Sequence, residues 1–130
     1  MHFNIADLFE SVVYVVPDKE ALIAGDKRLS YRMLEERANR VAHALKKAGI
    51  GAGDHVGLYL YNSAEFMEVV LGTLKIRAVP ININYRYVAD ELAYMIDNAD
   101  LKALLVKVRP AFVAHLEHAK MIQASLAKGK

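Results

Sequence analysis

Gly49-Ile50-Gly51-Ala52-Gly53 is the first place in this chain to look for chemistry, because closely spaced glycines let backbone N–H groups crowd round a phosphate. A dinucleotide loop of that kind follows a strand and opens a helix, so that the helix N-terminus meets the anion. Here the glycines follow a predicted helix and open a predicted strand, which points to a helix stop and a turn. His115 and His118 stand three apart on a predicted helix and share a face. A zinc site needs a third and usually a fourth ligand, and Glu117 points elsewhere by helical spacing, so these read as solvated histidines. His43 and His55 stand alone. Asp90 and Glu91 are a carboxylate pair, but beside a helix start they complement the helix dipole. Asp97, Asn98 and Asp100 suit a helix end and a turn. Tyr85-Arg86-Tyr87 is different, since it follows a predicted strand. In open parallel sheets, ligands gather beyond the carboxyl ends of strands, so this loop is the candidate site. No serine, histidine and carboxylate arrangement can be proposed from spacing, and no Walker-type loop exists.

The elements that would position these residues follow from periodicity. Asn4 caps a helix running to Val13, with Ile5, Leu8, Phe9 and Val12 on one face. Pro17-Asp18 breaks it. Glu20 to Ala24 and Arg28 to Ser30 read as a hairpin about Gly25-Asp26. Ser30 caps the clearest helix, Tyr31 to Ala48, whose stripe is Leu34, Ala38, Val41, Ala42, Leu45 and Ala48. Gly49 suits the left-handed residue that ends many helices. His55 to Tyr61 is a strand. Asn62 with Glu65 reads as a capping box for a helix to about Leu74 that buries Phe66, Val69, Val70 and Thr73. Ala78 to Ile83 reads as a strand buried on both faces. Ala89 to Asn98 is a helix with Leu92, Ala93 and Ile96 inward. Leu101 to Val108 is a strand, Pro110 starts a last helix, and Ala127 to Lys130 frays. Helices alternating with strands imply a mostly parallel α/β sheet with helices on both faces.

Composition narrows the function classes. The chain has 130 residues, a hydrophobic fraction of 55% and a net charge of +2, enough for one domain or a sizeable part of one. The 17 basic and 15 acidic residues are interspersed, whereas a nucleic-acid partner would need a clustered basic face. There are no cysteines, which excludes disulfides, thiolate catalysis and thiolate metal sites. The longest uncharged runs fall far short of the ~20 apolar residues a membrane span needs. The start lacks a basic region typical of a secretory signal, so cytoplasmic residence is expected.

Four segments in order carry a family likeness. The first is Leu29-Ser30-Tyr31, leading through Leu34-Glu35 to Ala38-Asn39-Arg40-Val41-Ala42. The second is Gly53-Asp54-His55-Val56-Gly57-Leu58, then Asn62-Ser63-Ala64-Glu65-Phe66. The third is Leu74-Lys75, Ala78-Val79 and Ile81-Asn82-Ile83-Asn84-Tyr85-Arg86, followed by Glu91-Leu92. The fourth is Asp97-Asn98-Ala99-Asp100 before an apolar strand. Together, from about Ile5 to Val106, they resemble the N-terminal region of the adenylate-forming, AMP-binding family, and Asn82 to Tyr87 is most similar to its fatty acid–CoA ligase branch. The resemblance implies that residues 1–130 are part of the N-terminal subdomain of an acyl-CoA synthetase, with no internal boundary. The parent would use ATP, Mg2+ and coenzyme A to turn a fatty acid into an acyl adenylate and then an acyl-CoA. The phosphate loop ending in Lys-Gly, the later Tyr/Thr-Glu motif, the ribose-binding Asp and the C-terminal lysine of the family are not in this sequence. The piece alone is therefore expected to be inactive, with no catalytic residue and no bound cofactor. Its expected partners are the missing remainder of the synthetase and further copies of itself through exposed edges. In related ligases the arginine of the turn lies toward the CoA phosphates. Here that is Arg86, which either does the same or only ties the turn to the next helix.

Departures from the family pattern mark local questions. Arg77 stands where the family has glycine, and either points to solvent or marks altered packing. Pro80 falls inside the predicted strand, which makes that strand an edge or a bulge. Asn82 occupies the usual proline position, and Tyr87-Val88 replaces the usual Thr/Ser helix cap. Two other readings stay open: a freestanding doubly wound nucleotide- or CoA-binding module, and a self-associating interaction module.

Overall fold

The computed structural model describes residues 3–107 and Met121. The helix expected from Pro110, with His115, Glu117 and His118, and the fraying expected from Ala127 lie outside the described residues. The chain divides into two compact units, one of residues 1–54 and 62–80, the other of residues 55–61 and 81–130.

The first unit is built on helices. α1 (Ile5–Val15) starts where Asn4 predicts: the Asn4 side chain accepts the Ala6 N–H at 2.8 Å and the Asp7 carboxylate accepts the Asn4 N–H at 2.8 Å. β1 (Glu20–Ala24) and β2 (Lys27–Ser30) form the expected antiparallel hairpin, with Ala24 opposite Lys27. Ser30 Oγ then accepts the Met33 N–H at 3.2 Å and opens α2 (Tyr31–Lys47). The α2 stripe is buried at Leu34, Ala38, Ala42 and Leu45, and faces α3 (Ala64–Lys75). Leu29, Leu34, Ala38, Ala64 and Leu71 form the core here, with Phe9, Ala21 and Leu22 against it. Each buried leucine contributes roughly 2 kcal/mol.

Polar groups inside this unit are paired across helices. Arg37 of α2 donates to Glu68 of α3 at 3.2 Å, which supplies a buried carboxylate with its counter-charge. The Lys75 ammonium is buried and reaches Glu10 of α1 at 2.5 Å and Glu35 of α2 at 2.7 Å, tying three helices through one cation. Thr73 Oγ1 is fully buried and finds no hydrogen-bond partner among the described residues.

α3 differs from expectation at both ends. Its cap is Ser63, whose Oγ accepts the Phe66 N–H at 3.4 Å, and not Asn62. A serine one place later reaches the free N–H groups of the first turn equally well, so sequence spacing alone misplaced the cap by one. Phe66 and Val70 are half-buried, while Val69 and Thr73 are buried as expected. At the C-terminus the Ala78 N–H donates to Thr73 O at 3.1 Å and the Arg77 N–H to Leu74 O at 3.0 Å. That pair of bonds is the Schellman ending, whose turning residue is left-handed. Arg77 takes that conformation, with φ +65°, so a glycine suits this position for its backbone freedom. The Arg77 side chain is not simply solvated. It donates to both Asp7 carboxylate oxygens, at 2.8 and 3.0 Å, and Asn4 Nδ2 donates to Leu74 O at 2.9 Å. The start of α1 is thereby tied to the end of α3.

The parallel sheet has strand order β4-β3-β5, and β3 and β5 belong to the second unit. β3 (His55–Leu60) is central among the described strands and is buried from Val56 to Leu60. β5 (Leu101–Lys107) runs parallel to it, with Val56 opposite Ala103 and Leu60 opposite Lys107. α4 (Ala89–Asn98) precedes β5, as predicted. Tyr59, Ile83, Leu92 and Ala93 form the core of this unit, joined by Ile96, Leu101 and Leu104. β4 (Val79–Asn82) corrects one expectation: it is half-buried, with Val79 41% exposed, rather than buried on both faces. The N–H groups of Val79 and Ile83 donate to Asp54 O and Leu58 O. Alternate residues of a strand point the same way, so the nitrogen of Pro80 lies on the open side, where no ladder donor is needed. Among the described residues β4 lies at the edge of the sheet, one of the two outcomes expected from Pro80.

Candidate functional site

The glycine run is not a phosphate cradle. Gly49, with φ +87°, ends α2: its N–H donates to Lys46 O and the Ile50 N–H to Leu45 O, both at 3.0 Å. The Gly51 N–H is taken by Asp54 Oδ2 at 2.7 Å and the Gly53 N–H by Arg77 O at 2.9 Å. Donors already committed to the protein cannot also wrap a phosphate. The helix stop and turn expected from the sequence is what forms.

The Tyr85-Arg86-Tyr87 loop sits beyond the carboxyl end of β4, in the second unit. Asn84 shapes it twice. Its carbonyl accepts the Tyr87 N–H at 3.1 Å, closing a four-residue turn, and its side-chain oxygen accepts the Arg86 N–H at 2.9 Å. Asparagine favours such turns because its short amide mimics the backbone. Ile83, 1% exposed, anchors the loop in the core. Arg86 is exposed, and its guanidinium carbon lies 5.5 Å from the centre of the Tyr85 ring. Its guanidinium makes no hydrogen bond or ion pair among the described residues.

The Tyr85 ring is itself held. Tyr61, which follows β3, meets it edge-on with centres 4.7 Å apart, a favoured geometry because a positive ring edge faces a negative ring face. Tyr59, fully buried in β3, donates its hydroxyl to Tyr85 O at 3.3 Å. Burial pushes the Tyr59 phenol above its ordinary pKa of 10.0, and the nearby Tyr61 adds to that, so it remains a neutral donor at any physiological pH. Sequence reading overlooked Tyr59 and Tyr61. The signal was present: in the strand expected from His55 to Tyr61, residues two apart share a face.

The remaining sequence candidates do structural work. Glu91 accepts the Val88 N–H at 3.1 Å, and since valine has no side-chain acceptor only this half of a capping box forms. Asp100 turns left-handed, with φ +52°, as α4 ends. His55 Nδ1 lies 2.6 Å from Ala99 O. His43 is exposed. Among the described residues no three His, Asp or Glu side chains gather where a metal could be held, and no helix is long and apolar enough to cross a membrane.

Comparison with known proteins places this geometry. The sequence pattern of the AMP-binding enzyme family matches residues 9–130. A medium/long-chain-fatty-acid–CoA/3-oxocholest-4-en-26-oate–CoA ligase of Mycobacterium marinum is 52% identical over 102 residues, covering 78% of this chain and 18% of that protein. A fatty acyl CoA synthetase of Mycobacterium tuberculosis has a similar structure, with TM-score 0.75 and 32% identity over 78% of this chain and 20% of that one. A benzoate CoA ligase from Burkholderia xenovorans matches with TM-score 0.84 and 25% identity, over 92% of this chain and 24% of that one. The chain spans about a fifth of the length of the curated relatives it matches.

Proposed function

The chain belongs to the AMP-binding enzyme family, and from that premise we propose that it is part of the N-terminal subdomain of an ATP-dependent fatty acid–CoA ligase. The observation that carries this reading is the family match over residues 9–130 together with 52% identity to a fatty acid–CoA ligase. In such an enzyme a fatty acid is joined to AMP with loss of pyrophosphate, and the acyl group then passes to the thiol of coenzyme A. Residues 1–130 take no catalytic role in either step and make no acyl-CoA alone. Their place in the cell is the cytoplasm, where ATP and coenzyme A are supplied.

Arg86 is this chain's contribution to ligand binding. Its planar fork suits a phosphate, and with no ion pair to it among the described residues that fork is available for one phosphate of coenzyme A. Magnesium finds no comparable set of ligands among the described residues. The test is a chimera in which these residues replace the matched stretch of the Mycobacterium marinum ligase. A soluble, folded chimera is expected to form acyl-CoA from ATP, coenzyme A and a fatty acid, and one without that activity refutes the reading.

A second reading, self-association, is favoured by the outer face of α1. Ile5, Leu8, Val12 and Val15 are 65%, 54%, 40% and 74% exposed, and their 3-4-3 spacing is that of a helix seam. Sedimentation should show a dimer that Leu8→Asp abolishes; a monomer at all concentrations rules this out.

A further inference from the structure

We infer that Tyr85 is a positioning residue for Arg86, held in place by Tyr61 and Tyr59, so that the three tyrosines aim the guanidinium at a phosphate-bearing ligand. The inference rests on the reading of Arg86 given above and adds the device that makes an exposed arginine selective. An arginine on a surface turn ordinarily samples many rotamers, and ordering it on binding costs affinity. Here the guanidinium lies over the Tyr85 ring at 5.5 Å, within the range of a cation–π contact. A guanidinium held over a ring keeps N–H donors turned away from that ring, and those donors are what a phosphate reads.

Each neighbour of Tyr85 fixes a different freedom. Tyr61 meets the ring edge-on at 4.7 Å and so resists its rotation. The Tyr59 hydroxyl holds the Tyr85 carbonyl, and because Tyr59 is buried in the central strand its position does not drift. The Asn84 side chain holds the Arg86 N–H. Backbone and ring are thus set before any ligand arrives. The probe is coenzyme A, whose phosphates lie within one flexible molecule.

The experiment titrates coenzyme A by calorimetry into the chimera described above and follows the Arg86 side-chain protons in it by NMR, with far-UV circular dichroism as the fold check. Protons stacked over a ring are shifted upfield, so the wild-type and Tyr85→Phe proteins should show an upfield Arg86 and equal affinity. Tyr85→Leu should return those shifts to random-coil positions and weaken binding about two- to fivefold, the size of an exposed cation–π contact. Tyr61→Leu should produce a smaller change of the same sign, and carries the test if Tyr85→Leu does not fold. Arg86→Ala should weaken binding by about tenfold or more, as for a hydrogen bond to a charged group. If Tyr85→Leu keeps the shifts and the affinity while Arg86→Ala loses affinity, the positioning role is overturned and the ligand reading stands. If wild type and Arg86→Ala bind alike, or neither binds, the ligand reading falls, and the upfield shift alone then decides whether the tyrosines aim the side chain.

Discussion

Gly72→Ala adds a methyl group where α2 and α3 touch. The new Cβ would lie 2.7 Å from Val41 Cβ and Cγ1 and 2.8 Å from the Ala38 carbonyl oxygen. Carbon atoms prefer separations of roughly 3.5–4.0 Å, so something must move by about 1 Å. None of these atoms is the loose end of a long side chain. Val41 is β-branched and nearly locked at χ1 in a helix, and Ala38 O is backbone. The helices themselves must part, which loosens the layer of Leu34, Ala38 and Leu71. Overpacking of this kind costs about 1–3 kcal/mol, while alanine in place of glycine inside a helix returns up to about 1 kcal/mol. The contacts are rigid, so the cost should lie in the upper part of its range, for a net loss of about 1–2 kcal/mol. Urea unfolding followed at 222 nm measures it, with the midpoint lowered and the slope unchanged. Adding Val41→Ala removes the Cγ1 clash but not the Cβ one, so the double variant should recover part of the loss relative to additivity. A Gly72→Ala protein as stable as wild type, or more so, refutes the claim that the glycine is there to let the helices approach.

Three further outcomes follow from local geometry. Thr73→Val replaces a buried hydroxyl that has no partner among the described residues by a group of the same shape, and should raise stability by about 1 kcal/mol in the same urea experiment; a loss of that size would mean the hydroxyl is satisfied. Arg77→Gly should be more stable than Arg77→Ala by about 1 kcal/mol, since both lose the ion pair but only glycine sits easily at φ +65°; equal melting temperatures would contradict this. The hydrogen bonds from Arg77, and then the Asn4 N–H, hold the Asp7 carboxyl below its ordinary value of 3.8. A lowered folded pKa contributes stability above the unfolded value and loses it as pH falls through the folded one. Acid unfolding of wild type should therefore steepen below about pH 4, and Asp7→Asn should show a shallower pH slope; identical slopes would remove Asp7 from the account.

Local order was legible in the sequence because it depends on local chemistry. Asn4 and Ser30 cap helices through their own side chains, the α2 stripe follows helical spacing, and Gly49 ends α2 because its backbone tolerates positive φ. The alternation of helix and strand announced a parallel sheet, and the order of four segments announced the family. Tertiary structure decided the rest, because it depends on which side chains meet across long sequence separations. No spacing rule says that Arg77 would find Asp7 seventy positions away, or that Lys75 would join three helices. Whether β4 is central or at the edge is set by what pairs beside it, and Pro80 only hinted at the answer. The site divides in the same way. Arg86 was visible as a charged residue in a turn after a strand, but the ring beneath it, and the tyrosines that hold that ring, came together only when β3 and the turn after β4 folded into one unit.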